Sequence, residues 1–350
     1  MAHPLAQDLD HILTHTERVW DSLRSQTVFI TGGTGFVGTW LVESFVWANE
    51  RLNLNARAVL LTRNPEAFRR KAPQAAQHRS VEMIRGECLT FDFPDGEFPF
   101  VIHASTENSF ESTAQEPAGT FEREVAATKR LLEFARTRRT RRFLLTSSGA
   151  VYGRQPPELM HISEEHPGAP STVDPLSSYG QAKRVSEFLC TMYARQFGFD
   201  AVIARLFAFA GPHLPLDVNF VIGNFVRDVL AGVPVRLLGD GTSQRSYLYA
   251  ADLAVWLWTL LIHGNTARPY NVGSGDPVSI ADLARVVVEN TDPGTPIQVL
   301  HTAVPGSPAP RYVPSVERAR TELGLVPLIP LDEAIRRMYR WNRELWLSCP

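Results

Sequence analysis

Five stretches of the chain are apolar without alternation: "TVFIT" (Thr27 to Thr31), "ARAVLLT" (Ala56 to Thr62), "FPFVIHAS" (Phe98 to Ser105), "RRFLLTSS" (Arg141 to Ser148) and "DAVIARLFAFAG" (Asp200 to Gly211). Between them run longer stretches in which apolar residues recur every three or four positions. "GFVGTWLVESFVWAN" sets Val37, Trp40, Leu41 and Phe45 on one helical face, and "EREVAATKRLLEFAR" repeats the period before the fourth strand. Continuous apolar strands alternating with helices predict a parallel sheet covered on both faces. A leading helical segment precedes the first strand. Beyond residue 212 proline and glycine become denser, and short pieces such as "VPVRLL" (Val233 to Leu238) predict a smaller lobe.

The expected organisation is therefore α/β. A helical extension covers 1–25, a doubly wound, Rossmann-type domain occupies mainly 26–211, and a smaller α/β lobe, interleaved with it, occupies mainly 212–350. The apolar run "LAVWLWTLLI" (Leu253 to Ile262) is too short for a bilayer and reads as a buried helix.

Composition narrows the function classes. In 350 residues, 44% are hydrophobic and 21% charged, with a formal net charge of −2. That balance gives no reason to expect a nucleic acid or an anionic membrane as partner. The run "ARTRRTRR" (Ala135 to Arg142) reads as the solvated end of a helix. Three unpatterned cysteines, Cys88, Cys190 and Cys349, suit a reducing compartment and offer no zinc spacing, so no metal is expected. The first twenty residues lack the pattern of a secretory signal, and a cytoplasmic location is expected.

Chemistry enters with the glycines. "TGGTGFVG" puts Gly32, Gly35 and Gly38 directly after the first strand and at the start of a helix. There the backbone can approach a pyrophosphate at a positive helix end. The second strand ends "LLTRNP", with Thr62 where a ribose-binding acid would stand and Arg63 after it. An arginine can pair with a 2′-phosphate, which favours NADP(H) over NAD. Downstream, "LLTSSGAVYG" (Leu144 to Gly153) is a buried strand tip rich in hydroxyls, and "YGQAK" (Tyr179 to Lys183) sets a phenol and an amine one helical turn apart. A cation beside a phenol lowers its pKa toward neutrality. A hydroxyl from Ser148 can hold a substrate oxygen there. Together with a nicotinamide, such a group moves a hydride at a carbon that bears oxygen.

In these motifs, and in "VIHAS", "RLFAFAGP" and "GDGTSQRSYLYAADLA", the chain resembles the extended short-chain dehydrogenases/reductases, in the group of NAD(P)-dependent nucleotide-sugar epimerases, dehydratases and reductases. The resemblance runs from Thr27 onward. It implies Ser148, Tyr179 and Lys183 as the catalytic triad. It implies a cofactor surface of Gly32, Thr34, Gly35, Phe36, Val37, Gly38, Arg63, Glu87, Cys88, His103, Ala104 and Ser105, with Tyr179 and Lys183. For a nucleoside-diphosphate sugar it implies Ser148, Gly149, Ala150, Tyr179, Asn219, Asn224, Arg245 and Arg311, and for the whole molecule a homodimer. Arg245 falls where the family's arginine meets the substrate diphosphate, a task suited to its planar fork. His103 reads as structural, at a strand end beside the cofactor.

Departures from the pattern matter as much. Dehydratases usually follow the triad hydroxyl with an acidic pair, and decarboxylases keep a glutamate at the second of these positions; here stand Gly149 and Ala150. Glu124 and Ala208 occupy places where many relatives carry asparagine. The expected activity is hydride transfer at C4 of a nucleotide-linked sugar, as a 4-epimerase or 4-ketosugar reductase. The alternatives are a 4,6-dehydratase or decarboxylase whose missing acid is supplied from elsewhere, by Glu124 or Glu165, and a reductase of a non-nucleotide carbonyl. A redox-sensing scaffold without catalysis has no need of the triad.

Overall fold

The computed structural model describes residues 3–106, 110–217, 220–304 and 306–348. The five expected strands are present as β1 (Thr27–Thr31), β2 (Arg57–Thr62), β4 (Phe100–His103), β5 (Arg142–Ser148) and β6 (Asp200–Leu206), together with β3 (Val81–Arg85) and a strand at Pro269–Val272. They form one seven-stranded parallel sheet in the order Pro269–Val272, β6, β5, β4, β1, β2, β3. The two additional strands carry weak signals. β3 is a half-exposed edge strand, and "PYNV" is short and holds a proline and an asparagine.

Strand order reverses between β1 and β4, because β1 leads outward through β2 to β3 and β4 leads the other way through β5 to β6. In open α/β sheets that reversal leaves a crevice at the carboxyl ends of the two strands, which is where ligands bind. Below it the core is aromatic: Phe29 on β1 packs 4.5 Å from Phe134 and 5.6 Å from Phe98, ring to ring.

The chain divides into two compact units. The first holds 1–151, 170–206 and 253–270, and the second holds 152–169, 207–252 and 271–350. The crossing point after β6 falls at 206/207, while 253–270 returns to the first unit. That return explains the apolar run: the helix Ala250–His263 buries Leu253 to Ile262 almost completely. Within the first unit the residues before β1 are an integral layer. Leu9, Ile12, Trp20 and Leu23 are buried; the Trp20 ring lies 5.1 Å from Trp258, whose indole donates to Ser44 Oγ at 2.9 Å. The helix Phe36–Arg51 is consequently apolar nearly all round, as a helix covered on both sides must be.

The run "ARTRRTRR" is a largely solvated helix end, with Arg136, Thr137, Arg139 and Arg141 exposed, but Arg138 and Arg142 are half-buried. The helix stops at Thr137, Arg138 donates to the carbonyl of Pro94, and Arg142 reaches Asp200 at 3.0 Å and the carbonyls of Leu261 and Gly264. Leu261 and Gly264 lie at the end of the helix Ala250–His263, so Arg142 answers carbonyls left there.

The second unit has its own small sheets. Val235–Leu237 pairs with Ile297–Val299, and Gln244–Arg245 lies between Val278–Ser279 and Arg311–Tyr312. Tyr152, at the end of "GAVY", donates to Asn271 Oδ1 at 2.7 Å, and the Asn271 amide donates to Glu164 at 2.8 Å.

Candidate functional site

The turn after β1 is made of backbone. Gly32 has φ +68°, and a Cβ there would lie 2.4 Å from the Ala104 carbonyl oxygen and 2.5 Å from the Ser105 nitrogen. At Gly38 a Cβ would meet the Gly32 oxygen at 2.1 Å. Gly35 caps the helix Phe36–Arg51 with no side-chain hydrogen bond of its own, and its amide donates to Gly32 at 3.0 Å. The loop is thus pressed against Ala104 and Ser105 at the exit of β4. Such a cradle fits a pyrophosphate. Phe36 and Val37 form the first turn of that helix, and Thr34 lies in the loop.

At the end of β2, Thr62 Oγ1 lies 3.3 Å from Thr34 Oγ1, and Arg63 is exposed just beyond. Lys71, which the sequence did not single out, reaches back from the helix Pro65–Lys71 and donates to the Thr34 carbonyl at 3.2 Å. Burial pulls its ammonium down to about 8, against a smaller opposing pull from Glu43. Glu87 is exposed past the end of β3, while Cys88 Sγ meets Ser105 Oγ at 3.1 Å.

The residues expected to form the triad lie around the end of β5. Ser148 is its last residue, 9% exposed, and its Oγ accepts from the Ala150 amide at 3.1 Å, which opens the short 3₁₀ turn Gly149–Tyr152. The helix Ser178–Phe197 begins against that turn. At Gly180 a Cβ would stand 2.7 Å from the Ala150 oxygen, so this position next to Tyr179 must lack a side chain. Lys183, one turn on, is fully buried; it donates to the Thr146 carbonyl at 3.0 Å, and its Nζ lies 5.8 Å from the Tyr179 ring centre. Glu124, buried on the helix Pro117–Thr137, closes an ion pair with Lys183 at 2.5 Å and accepts from Thr106 at 3.3 Å. Burial draws the Lys183 ammonium down, but Glu124, with lesser help from Tyr179 and Cys190, more than offsets this and holds it above its ordinary value.

His103 sits beside this pair. Its ring is 1% exposed, joined to Thr31 Oγ1 at 2.8 Å through Nδ1 and to Thr128 Oγ1 at 3.3 Å through Nε2. Burial first, and the Lys183 charge second, push it down to about 4, so it is neutral. Of the two carboxylates that could have replaced a dehydratase acid, Glu124 is bound to Lys183 and Glu165 is bound to Arg318.

The second unit carries the remaining residues. Arg245 and Arg311 lie on neighbouring strands of its three-stranded sheet, but register sets them on opposite faces. Arg245 is opposite Tyr312 and stacks over that ring at 5.5 Å, whereas Arg311 is opposite Gln244 and bonds its side chain. Asn224 lies inside the helix Val221–Leu230, where its side chain accepts from Arg227 at 3.4 Å. Asn219 lies outside the described residues.

A glycine cradle at the switch point and a Ser–Tyr–Lys group at the next strand tip define a Rossmann-type dinucleotide-dependent enzyme. The chain belongs to the NAD dependent epimerase/dehydratase family, whose model matches residues 28–273, and it is an NAD(P)-binding enzyme. It is 28% identical over 318 residues to UDP-glucuronic acid decarboxylase 1 of Xenopus tropicalis, covering 91% of this chain and 72% of that one. It is 30% identical over 322 residues to UDP-glucuronic acid decarboxylase 2 of Arabidopsis thaliana, with 91% and 68% covered. Among solved structures, the fold is similar to a UDP-glucose 4-epimerase of Thermotoga maritima, at TM-score 0.75, 20% identity and 91% and 99% coverage. It is also similar to a dTDP-glucose 4,6-dehydratase of Streptomyces venezuelae with NAD bound, at TM-score 0.76, 21% identity and 91% and 97% coverage. No helix among the described residues is long and apolar enough to cross a membrane, and no cluster there could hold a metal ion.

Proposed function

We propose that the enzyme moves a hydride at C4 of a nucleoside-diphosphate sugar, as a 4-epimerase or 4-ketosugar reductase, and does not eliminate water. The carrying observation is the end of β5: Ser148, Tyr179 and the Lys183 ammonium stand next to Gly149 and Ala150, which have no titratable side chain. Bound NAD(P) supplies the hydride acceptor or donor. Tyr179 exchanges a proton with the C4 oxygen, Ser148 hydrogen-bonds that oxygen, and the Lys183 ammonium lies beside the phenol ring. Elimination across C5 and C6 needs a second base and acid, and both Glu124 and Glu165 are already paired. Arg245 is assigned to the substrate diphosphate, and Arg63 to a 2′-phosphate, which favours NADP(H).

A second reading is favoured by the relatives named as UDP-glucuronic acid decarboxylases. Oxidation at C4 of a sugar with a C6 carboxylate places a ketone β to that carboxylate, and CO₂ can then leave without a base at C5. Ala150 leaves this reading without the glutamate that decarboxylases usually carry.

The test is to incubate the enzyme with NAD(P) and, separately, UDP-glucose, UDP-glucuronic acid and a 4-keto-6-deoxy sugar nucleotide, following products by proton NMR and CO₂ release. The expected result is C4 inversion, or C4 reduction with consumption of NADPH. Release of CO₂ would select the second reading. Steady formation of a 4-keto-6-deoxy product from UDP-glucose would overturn both.

A further inference from the structure

Lys183 and Glu124 are each less than 5% exposed, and their helices bring them within 2.5 Å of one another beneath the end of β5. An ammonium taken wholly out of water gives up its proton unless an anion answers it. Among the described residues, the groups facing Lys183 leave one candidate for that role. On β4, His103 is neutral. On β5, Thr146 offers only its carbonyl, at 3.0 Å. On the helix that carries Lys183 itself, Glu187 is committed to Ser147 at 2.6 Å and to Arg205 of β6 at 2.7 Å, while burial raises the Cys190 thiol and keeps it protonated. Tyr179 is the group Lys183 serves. Glu124, held on its other oxygen by Thr106, is the carboxylate in contact.

We propose that Glu124 is a positioning residue of the hydride-transfer site, whose buried ion pair both fixes the Lys183 side chain and keeps it an ammonium beside Tyr179. This deepens the reading of Tyr179 and Lys183 given above and rests on it for its catalytic consequence. The ion pair itself is independent of any substrate, so the two can fail separately.

The primary test needs no turnover. Glu124→Gln keeps the shape and removes the charge. Folded Lys183 should then be neutral while unfolded Lys183 still binds a proton. The unfolding constant of Glu124→Gln, measured in urea, should fall by about tenfold per pH unit between roughly pH 8 and 10 relative to wild type. Glu124→Asp should restore the wild-type dependence, and Glu124→Gln combined with Lys183→Met should abolish the difference. An unchanged slope in Glu124→Gln would overturn the proposal.

If Glu124→Gln does not fold, Lys183→Met tests the pair from the other side. Lys183→Met then buries a carboxylate with no cation beside it, so Lys183→Met combined with Glu124→Gln should be more stable than Lys183→Met alone; equal stability overturns the proposal. With the assay above, Glu124→Gln should lower kcat by about tenfold or more with KM little changed, and Glu124→Asp should restore it, because a neutral Lys183 places no charge beside Tyr179. If wild type turns over no nucleotide sugar, the functional reading fails, and the unfolding slopes alone decide the role of Glu124.

Discussion

Two places along the carboxyl edge of the first unit's sheet are built by opposite means. The loop after β1 is a shape made by leaving side chains out: Gly32 and Gly38 have no room for a Cβ, and polar backbone faces the ligand. The floor beneath β5 is a charge arrangement made by putting side chains in, with Lys183, Glu124, His103, Thr128 and Ser186 all buried and joined in pairs. Backbone dipoles do not titrate, so a pyrophosphate held by them alone would be held equally across pH. A buried charge is stable only with its partner, so the second is sensitive to single substitutions and to protons. Binding and chemistry should therefore separate.

The sharpest way to break that separation is Tyr179→Phe, which removes the proton donor and keeps the ring. Turnover should drop by about 10²–10⁴-fold, the range for loss of a general acid–base group. NAD(P) affinity, measured by fluorescence titration, should stay within about twofold. A large loss of cofactor affinity would show the two places to be one.

Next in size is a pH effect confined to the buried cluster. His103 titrates near 4 when folded, against an ordinary 6.5. Between those values the unfolded chain binds a proton that the folded chain refuses, so stability rises with pH across the window and is lost as pH falls through it. The full window carries on the order of 3 kcal/mol. Urea unfolding from pH 4 to 7 should show His103→Gln losing less stability toward acid than wild type. Parallel curves would mean that His103 is not buried neutral.

The same contrast explains what could be read from the residues alone. "TGGTGFVG" is legible because cause and effect are local: the glycines that permit the turn sit in the turn. "YGQAK" is legible because four residues on a helix is one face. The Lys183–Glu124 pair joins helices 59 positions apart in sequence, and no period or spacing announces it. Glu124 stood out as a departure from asparagine and as a candidate replacement acid, with no sign that it touches Lys183. Gly180 was hidden for the same reason, since its need for a bare Cα comes from Ala150. The strand Val81–Arg85 escaped because an edge strand does not carry the continuous apolar run of a central one. Arg245 and Arg311 read as two contacts for one diphosphate, and only register shows them on opposite faces.

A smaller effect tests the cradle. Gly38→Ala places a methyl 2.1 Å from the Gly32 oxygen and 2.4 Å from the Gly33 Cα, so the loop must shift. Overpacking of this kind costs about 1–3 kcal/mol. Cofactor affinity should weaken by about tenfold or more, while single-turnover hydride transfer at saturating cofactor changes little. If the rate at saturation falls as far as the affinity, the loop also sets the geometry of the chemistry.

The smallest expected effect concerns Arg63, and it decides between NAD and NADP. The side chain is exposed just past the end of β2, so water and salt screen whatever charge it meets. A 2′-phosphate there would gain one charge-assisted hydrogen bond, and exposure puts its worth at about 1 kcal/mol. Arg63→Ala should thus weaken NADP(H) by roughly fivefold and leave NAD(H) unaltered, because NAD carries a hydroxyl where NADP carries the phosphate. The difference should shrink as salt rises from about 50 to 500 mM, the signature of an exposed ionic contact. Lys71, on the Thr34 carbonyl nearby, supplies a control: burial holds it near 8, so if it too served the phosphate, NADP(H) affinity would decline between about pH 7 and 9 even in the Arg63→Ala protein. Equal weakening of both cofactors by Arg63→Ala would remove the case for NADP(H) and leave Thr62, at the tip of β2, to face a plain ribose.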